Sequence, residues 1–167
     1  MNVLRLVDKV FLPQTVFAHC DVPCGIYDPH LAQVAAHTVL RMTNMIDELQ
    51  ASSPEPPFEE RKRIISQISR LTKVKEEHAE LVKHEIRVIW GDYLKDEHLK
   101  QHKAIHQLVF KIMKQASVAR QNVDIKAANE LLEMVQMFAE IFWETKDRRT
   151  QRIKSGYPTD GEIVLPK

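Results

Sequence analysis

Apolar side chains recur at intervals of three and four along most of this chain, the signature of helices that bury one face. Leu31, Val34, Ala35, Thr38, Met42, Met45, Ile46 and Leu49 form the first stripe. It opens on Asp28-Pro29, an acidic N-cap followed by a proline where a missing N–H costs nothing, and predicts a helix to about Gln50. Ser52, Ser53, Pro54, Pro56 and Pro57 end it. A second, longest stripe starts near Phe58, carries Ile64, Ile68, Leu71, Val74, Leu81, Val82, Ile86 and Ile89, and is loosened by Gly91. Asp96 caps a third, with Leu99, Ile105, Leu108, Val109, Ile112, Met113 and Ala116, before a break at 122–124. The fourth carries Ala128, Leu131, Met134, Val135, Phe138, Ile141 and Phe142 and frays into the charged run KDRRTQRIK before Gly156.

Short connections make sequential helices neighbours, so the expected fold is an all-α, antiparallel up-down-up-down four-helix bundle spanning 19–154. The last residues, 155–167, hold two Pro and two Gly and cannot be helical. They are expected to form an extended C-terminal arm whose Ile163, Val164 and Leu165 have no evident home on their own subunit.

Composition narrows the function classes. The chain has 167 residues, 44% of them hydrophobic, enough for one domain with a real core. Its formal charge of +1 supplies no basic excess for a phosphate backbone, so nucleic acid is not an expected partner. Charges interrupt every apolar stretch, so no membrane partner is expected either. None of the eight Pro falls between Phe58 and Ser155 and there are four Gly in all, too few turns for a sandwich or a nucleotide-binding α/β fold. Residues 1–18 resemble nothing else in the chain. Asp8, Lys9 and Pro13 break the apolar run that a secretory signal needs, although Val16 and Ala18 make an acceptable cleavage site. The expectation is a removable leader on a cytoplasmic protein.

Both cysteines, Cys20 and Cys24, lie just after that leader and beside His19. A disulfide between them would close a tiny loop and gain little chain entropy. Two thiols next to an imidazole read as metal ligands or a reactive pair. The group falls short of the four ligands a closed zinc site wants, and CxxxC is not the CxxC of a thioredoxin-like motif. Pro23 and Gly25 bracket a tight hook outside the helices. His98, His102 and His106 recur at i, i+4 and i+8 in the third helix, but with no acidic base between them they read as the edge of its stripe. Trp90, Trp143 and the methionines at helical spacing read as packing residues.

The run His-Cys-Asp-Val-Pro-Cys-Gly-Ile-Tyr-Asp-Pro from His19 resembles the nickel hook of the nickel superoxide dismutase family. The likeness continues in AELVKHEIRVIWGDYLK (Ala79 to Lys95), HQLV (His106 to Val109) and IFWETK (Ile141 to Lys146). It implies a four-helix bundle, assembly as a homohexamer, and disproportionation of superoxide to O2 and H2O2 with nickel cycling between Ni(II) and Ni(III). It further implies that a peptidase removes the leader before His19. The freed amine, the Cys20 amide and the thiolates of Cys20 and Cys24 then bind nickel in a plane, with the His19 imidazole axial. Such square-planar N and S donors suit Ni(II). The resemblance places Tyr27 and Tyr93 over the open metal face, Asp21 within the hook, and Lys95 as a cation guiding the anion. Where family members orient the axial imidazole with a Glu and an Arg, this chain has Ala35 and His78; His78 or a water is the expected substitute. That double departure supports an alternative, a non-catalytic helical protein whose hook binds metal for assembly or storage.

Overall fold

The computed structural model describes residues 25–167. The elements are α1 (His30–Asp47), α2 (Phe58–Val88), α3 (Asp96–Gln101), α4 (Ile105–Gln121), α5 (Ile125–Glu144), β1 (Thr150–Lys154) and β2 (Glu162–Pro166). The four long helices close a ring in which α1 packs on α2 and α5, and α4 packs on the same two. Val39, Val82, Ile86, Ile112, Leu131, Val135, Phe138 and Phe142 fill its axis and are fully buried. The last two stripes supply most of their share as expected, but α1 buries a face of Ala32, Ala35, Ala36, Val39 and Leu40 that is turned from the predicted stripe, leaving Leu31 exposed. No helix among the described residues is long and apolar enough to cross a membrane.

Local chemistry sets the helix ends. Asp28 caps α1, accepting the His30 N–H on Oδ1 at 2.7 Å. Asp124 does the same for α5, taking the Ala127 N–H at 3.0 Å. At Gly91 α2 loosens into a π turn over Ile89–Tyr93, which swings Tyr93 out of the helical register. The expected third helix is two pieces, α3 and α4, broken after Gln101 where no Gly or Pro marks the spot.

α4 ends on an unusual cap. Lys75, in α2 and only 1% exposed, donates from Nζ to the carbonyls of Ala119, Arg120 and Asn122, each at 2.7 Å. These are orphan acceptors of a helix C-terminus, where a cation is favoured. Burial lowers the Lys75 pKa from its ordinary value. Lys75→Met keeps the aliphatic packing but strands three carbonyls, and is expected to cost about 2–4 kcal/mol. The thermal midpoint should fall on the order of 10 °C. An unchanged melt would show that water caps α4 equally well.

The C-terminus differs most from expectation. Instead of fraying, α5 stops in a Schellman closure. Arg148 N–H reaches the Trp143 carbonyl, Asp147 N–H reaches Glu144, and Asp147 sits in the left-handed region at φ 54. The run read as a fraying helix end then becomes β1, paired antiparallel with β2 from Thr150↔Pro166 to Lys154↔Glu162. Ile163 and Val164 are buried, so the arm is a hairpin at home on its own subunit.

Candidate metal centre

His19, Cys20, Asp21 and Cys24 lie outside the described residues. Gly25 has a φ of 91, one that only glycine adopts freely, and Tyr27 follows at the mouth of α1. Here the start of α1 meets the ends of α2 and α5. Tyr27 packs on Tyr93 with ring centroids 5.5 Å apart, so the two tyrosines singled out by sequence are brought together.

Tyr93 is held from every side. Its ring contacts Phe142 at 5.0 Å and stacks on His98 at 5.2 Å with the planes 16° apart. Its hydroxyl lies 2.9 Å from Thr145 Oγ1, which itself donates to the Phe142 carbonyl at 2.6 Å. Because the threonine's single proton is spent on that carbonyl, Tyr93 is the donor in the first bond. His98 is fixed in turn, accepting the Lys95 N–H on Nδ1 at 3.1 Å.

Two cations stand near this end. Lys95 is exposed and is the N-cap of α3. Lys146 lies over the rings of Phe142, Tyr93 and Trp143 at 4.7, 5.3 and 5.7 Å, and its Nζ donates to the Tyr27 carbonyl at 3.5 Å. Sequence reasoning missed Lys146, Thr145 and His98 as neighbours of the tyrosines. The first two stood in the quoted IFWETK segment, which was the available signal.

The remaining candidates lie elsewhere. Ala35 is wholly buried in the core. His78 is half-buried, with Nδ1 bonded to the Val74 carbonyl of its own helix at 2.8 Å. It precedes Tyr93 by about 22 Å of helix, so the subunit does not bring the two together. His106 accepts from the Trp90 indole at 2.8 Å and His102 faces Glu144 at 3.7 Å. Among the described residues no three His, Cys, Asp or Glu converge as a metal site.

The described residues form a four-helix bundle with an aromatic, cation-bearing end at Tyr27, which follows one imidazole and two thiols in sequence, a pattern that points to a helical-bundle metalloprotein. The sequence profile described as nickel-containing superoxide dismutase matches residues 14–146, and the chain belongs to that family. Superoxide dismutase [Ni] of Streptomyces coelicolor is 36% identical over 142 residues, covering 84% of this chain and 98% of the relative. Its counterpart from Streptomyces seoulensis is 34% identical over the same shares. Among solved structures, native nickel superoxide dismutase matches with a TM-score of 0.64 and 34% identity, over 77% of this chain and 99% of that one. A structure with nickel ligation corresponding to the oxidised state matches with a TM-score of 0.64 and 32% identity. The nickel cofactor and dismutase activity follow from the family, and the storage alternative is not favoured. The donor set fits the metal, since thiolates with nitrogen donors suit Ni(II). β1 and β2 lie beyond the matched region.

Proposed function

We propose that the active chain begins at His19 and holds nickel through its α-amine, the amide nitrogen and thiolate of Cys20, the thiolate of Cys24 and the His19 imidazole. Nickel supplies one-electron cycling between Ni(II) and Ni(III), brought within reach of superoxide by thiolate and amidate donors; overall, two superoxides and two protons give O2 and H2O2. The observation that carries this reading is the Tyr27–Tyr93 pair at the exit of the hook.

The chain's own residues set access. Tyr93, pinned through Thr145 and stacked on His98, makes with Tyr27 a rigid wall that admits only small species. Asp21 falls between the two cysteines in sequence and belongs to the same hook. Removing residues 1–18 takes away Arg5, Lys9 and Asp8 and leaves acidic and basic side chains equal in number, so attraction of an anion depends on local charge. Lys146 supplies that charge at the tyrosines and Lys95 adds to it at the rim. A leader-cleaving peptidase and assembly as a homohexamer complete the proposal.

The test is metal analysis, superoxide disappearance and sedimentation of the chain cut before His19. One nickel per chain, fast superoxide loss and a hexameric mass are expected. A chain that binds no nickel sinks the ligand assignment, and a monomer removes the assembly.

A further inference from the structure

The outer edge of β2 is read by side chains of the bundle. Gln33, wholly buried on α1, treats Val164 as a strand neighbour would, accepting its N–H on Oε1 at 2.8 Å and donating from Nε2 to its carbonyl at 3.0 Å. One turn on, His37 bridges Thr159 Oγ1 at 2.8 Å and the Glu162 carbonyl at 3.0 Å. A carbonyl only accepts, so Nε2 carries the imidazole proton. Burial keeps the His37 pKa below its ordinary value, which favours this neutral ring. From α5, Gln136 donates to the same Glu162 carbonyl at 2.6 Å, and Arg152 of β1 reaches back to Glu140 at 2.7 Å and Gln136 at 3.2 Å. One carbonyl oxygen thus ties α1 to α5. The fit is close, since a methyl on Gly161 would lie 2.6 Å from His37 Cε1.

These contacts close a circuit that passes through Tyr27, which follows the hook in sequence. It runs from Tyr27 along α1 to Gln33 and His37, across β2 to Gln136, down α5 to Thr145 and Lys146, and back to the Tyr27 carbonyl. We propose that the C-terminal hairpin is a clasp that fixes the start of α1 against the end of α5, and so orients the hook, with Gln33 and His37 as positioning residues. The proposal rests on the nickel-hook reading, and it concerns a segment beyond the family match. Two buried amides and a buried imidazole on the bundle surface make sense only with the hairpin in place, because without it they face water and the Ile163 and Val164 side chains lose their cover.

The test uses the full nickel-loaded chain cut before His19. Gln33→Leu removes both bonds to Val164, and Gly161→Ala drives the loop off His37 while leaving the bundle sequence untouched. Three quantities are read: exchange of the Val164 amide, the rate of nickel release to a chelator, and turnover per bound nickel. Each variant is expected to speed Val164 exchange about tenfold, as the loss of one or two hydrogen bonds implies, with unchanged helical content. Nickel release should quicken and turnover per nickel fall severalfold in parallel. If Gln33→Leu does not fold, Gly161→Ala alone decides. Faster exchange with unchanged nickel release and turnover would make the hairpin a staple only and overturn the proposal, as would unchanged exchange. A wild-type cut chain that takes up no nickel would remove the proposal together with the reading beneath it.

Discussion

Cys20→Ser or Cys24→Ser, in the chain cut before His19, is expected to abolish nickel binding and superoxide turnover while helicity stays intact. A serine hydroxyl holds its proton at neutral pH, whereas a thiol with a metal at hand gives its proton up and becomes a strong anionic donor. Losing either thiolate therefore removes a donor that brings the higher oxidation state within reach. The fold is spared because the buried core begins at Ala32 among the described residues and draws on all four long helices. Metal analysis, a superoxide assay and far-ultraviolet circular dichroism on each variant provide the check. Full turnover from either serine variant would exclude the thiolate ligand set.

A loss as complete is expected when Ala18 stays attached to His19. The nitrogen of His19 is then an amide, planar and without a basic lone pair, so the terminal donor and its five-membered chelate with the next amide nitrogen both vanish. The full 167-residue chain should carry little nickel and show no dismutase activity until cut. N-terminal sequencing of the active species should begin at His19. Activity from a chain that keeps residue 18, or an active species starting elsewhere, would require a different set of ligands.

The four long helices were legible from their apolar periodicity, and the core takes up most of the last two stripes, as at Ile112 and Phe138. The buried face of α1 was not, because it is made of Ala32, Ala36, Gln33, His37 and Thr43, which weigh little as apolar positions, and the predicted Leu31 is exposed. The break between α3 and α4 was not, since no Gly or Pro intervenes between Leu99 and Ile105, although their spacing of six residues already departs from a single helical face. The end of α5 was hidden likewise: its left-handed residue is Asp147, not the glycine that announces such a turn. β1 has one large apolar residue, Ile153, so alternation could not flag it. Gln33, His37 and Gln136 scored as polar positions, and their burial follows from strands far along the chain.

At the centre, identity and spacing of the hook were readable, and the resemblance singled out Tyr27 and Tyr93, whose ring contact the structure adds. The position of Lys146 was not, because its aromatic cage forms when a π turn carries Tyr93 to the end of α5. The departure at Ala35 and His78 gains a physical reason. Position 35 is fully buried, and a carboxylate there needs a partner cation to offset its desolvation. Exchanging both members together leaves no charge stranded, and the His78 imidazole instead bonds within its own helix.

A two-stranded ribbon has two margins, each a template onto which a further chain can add. In this hairpin one margin is already taken, since the glutamine at 33 occupies the main-chain groups of Val164. Across the ribbon Arg152 is the partner of Val164 and turns its own N–H and carbonyl toward the other margin, along a strand of five residues that includes two cations. Recruitment of a foreign strand is confined to that short, charged side, so the ribbon terminates the sheet instead of seeding a fibre.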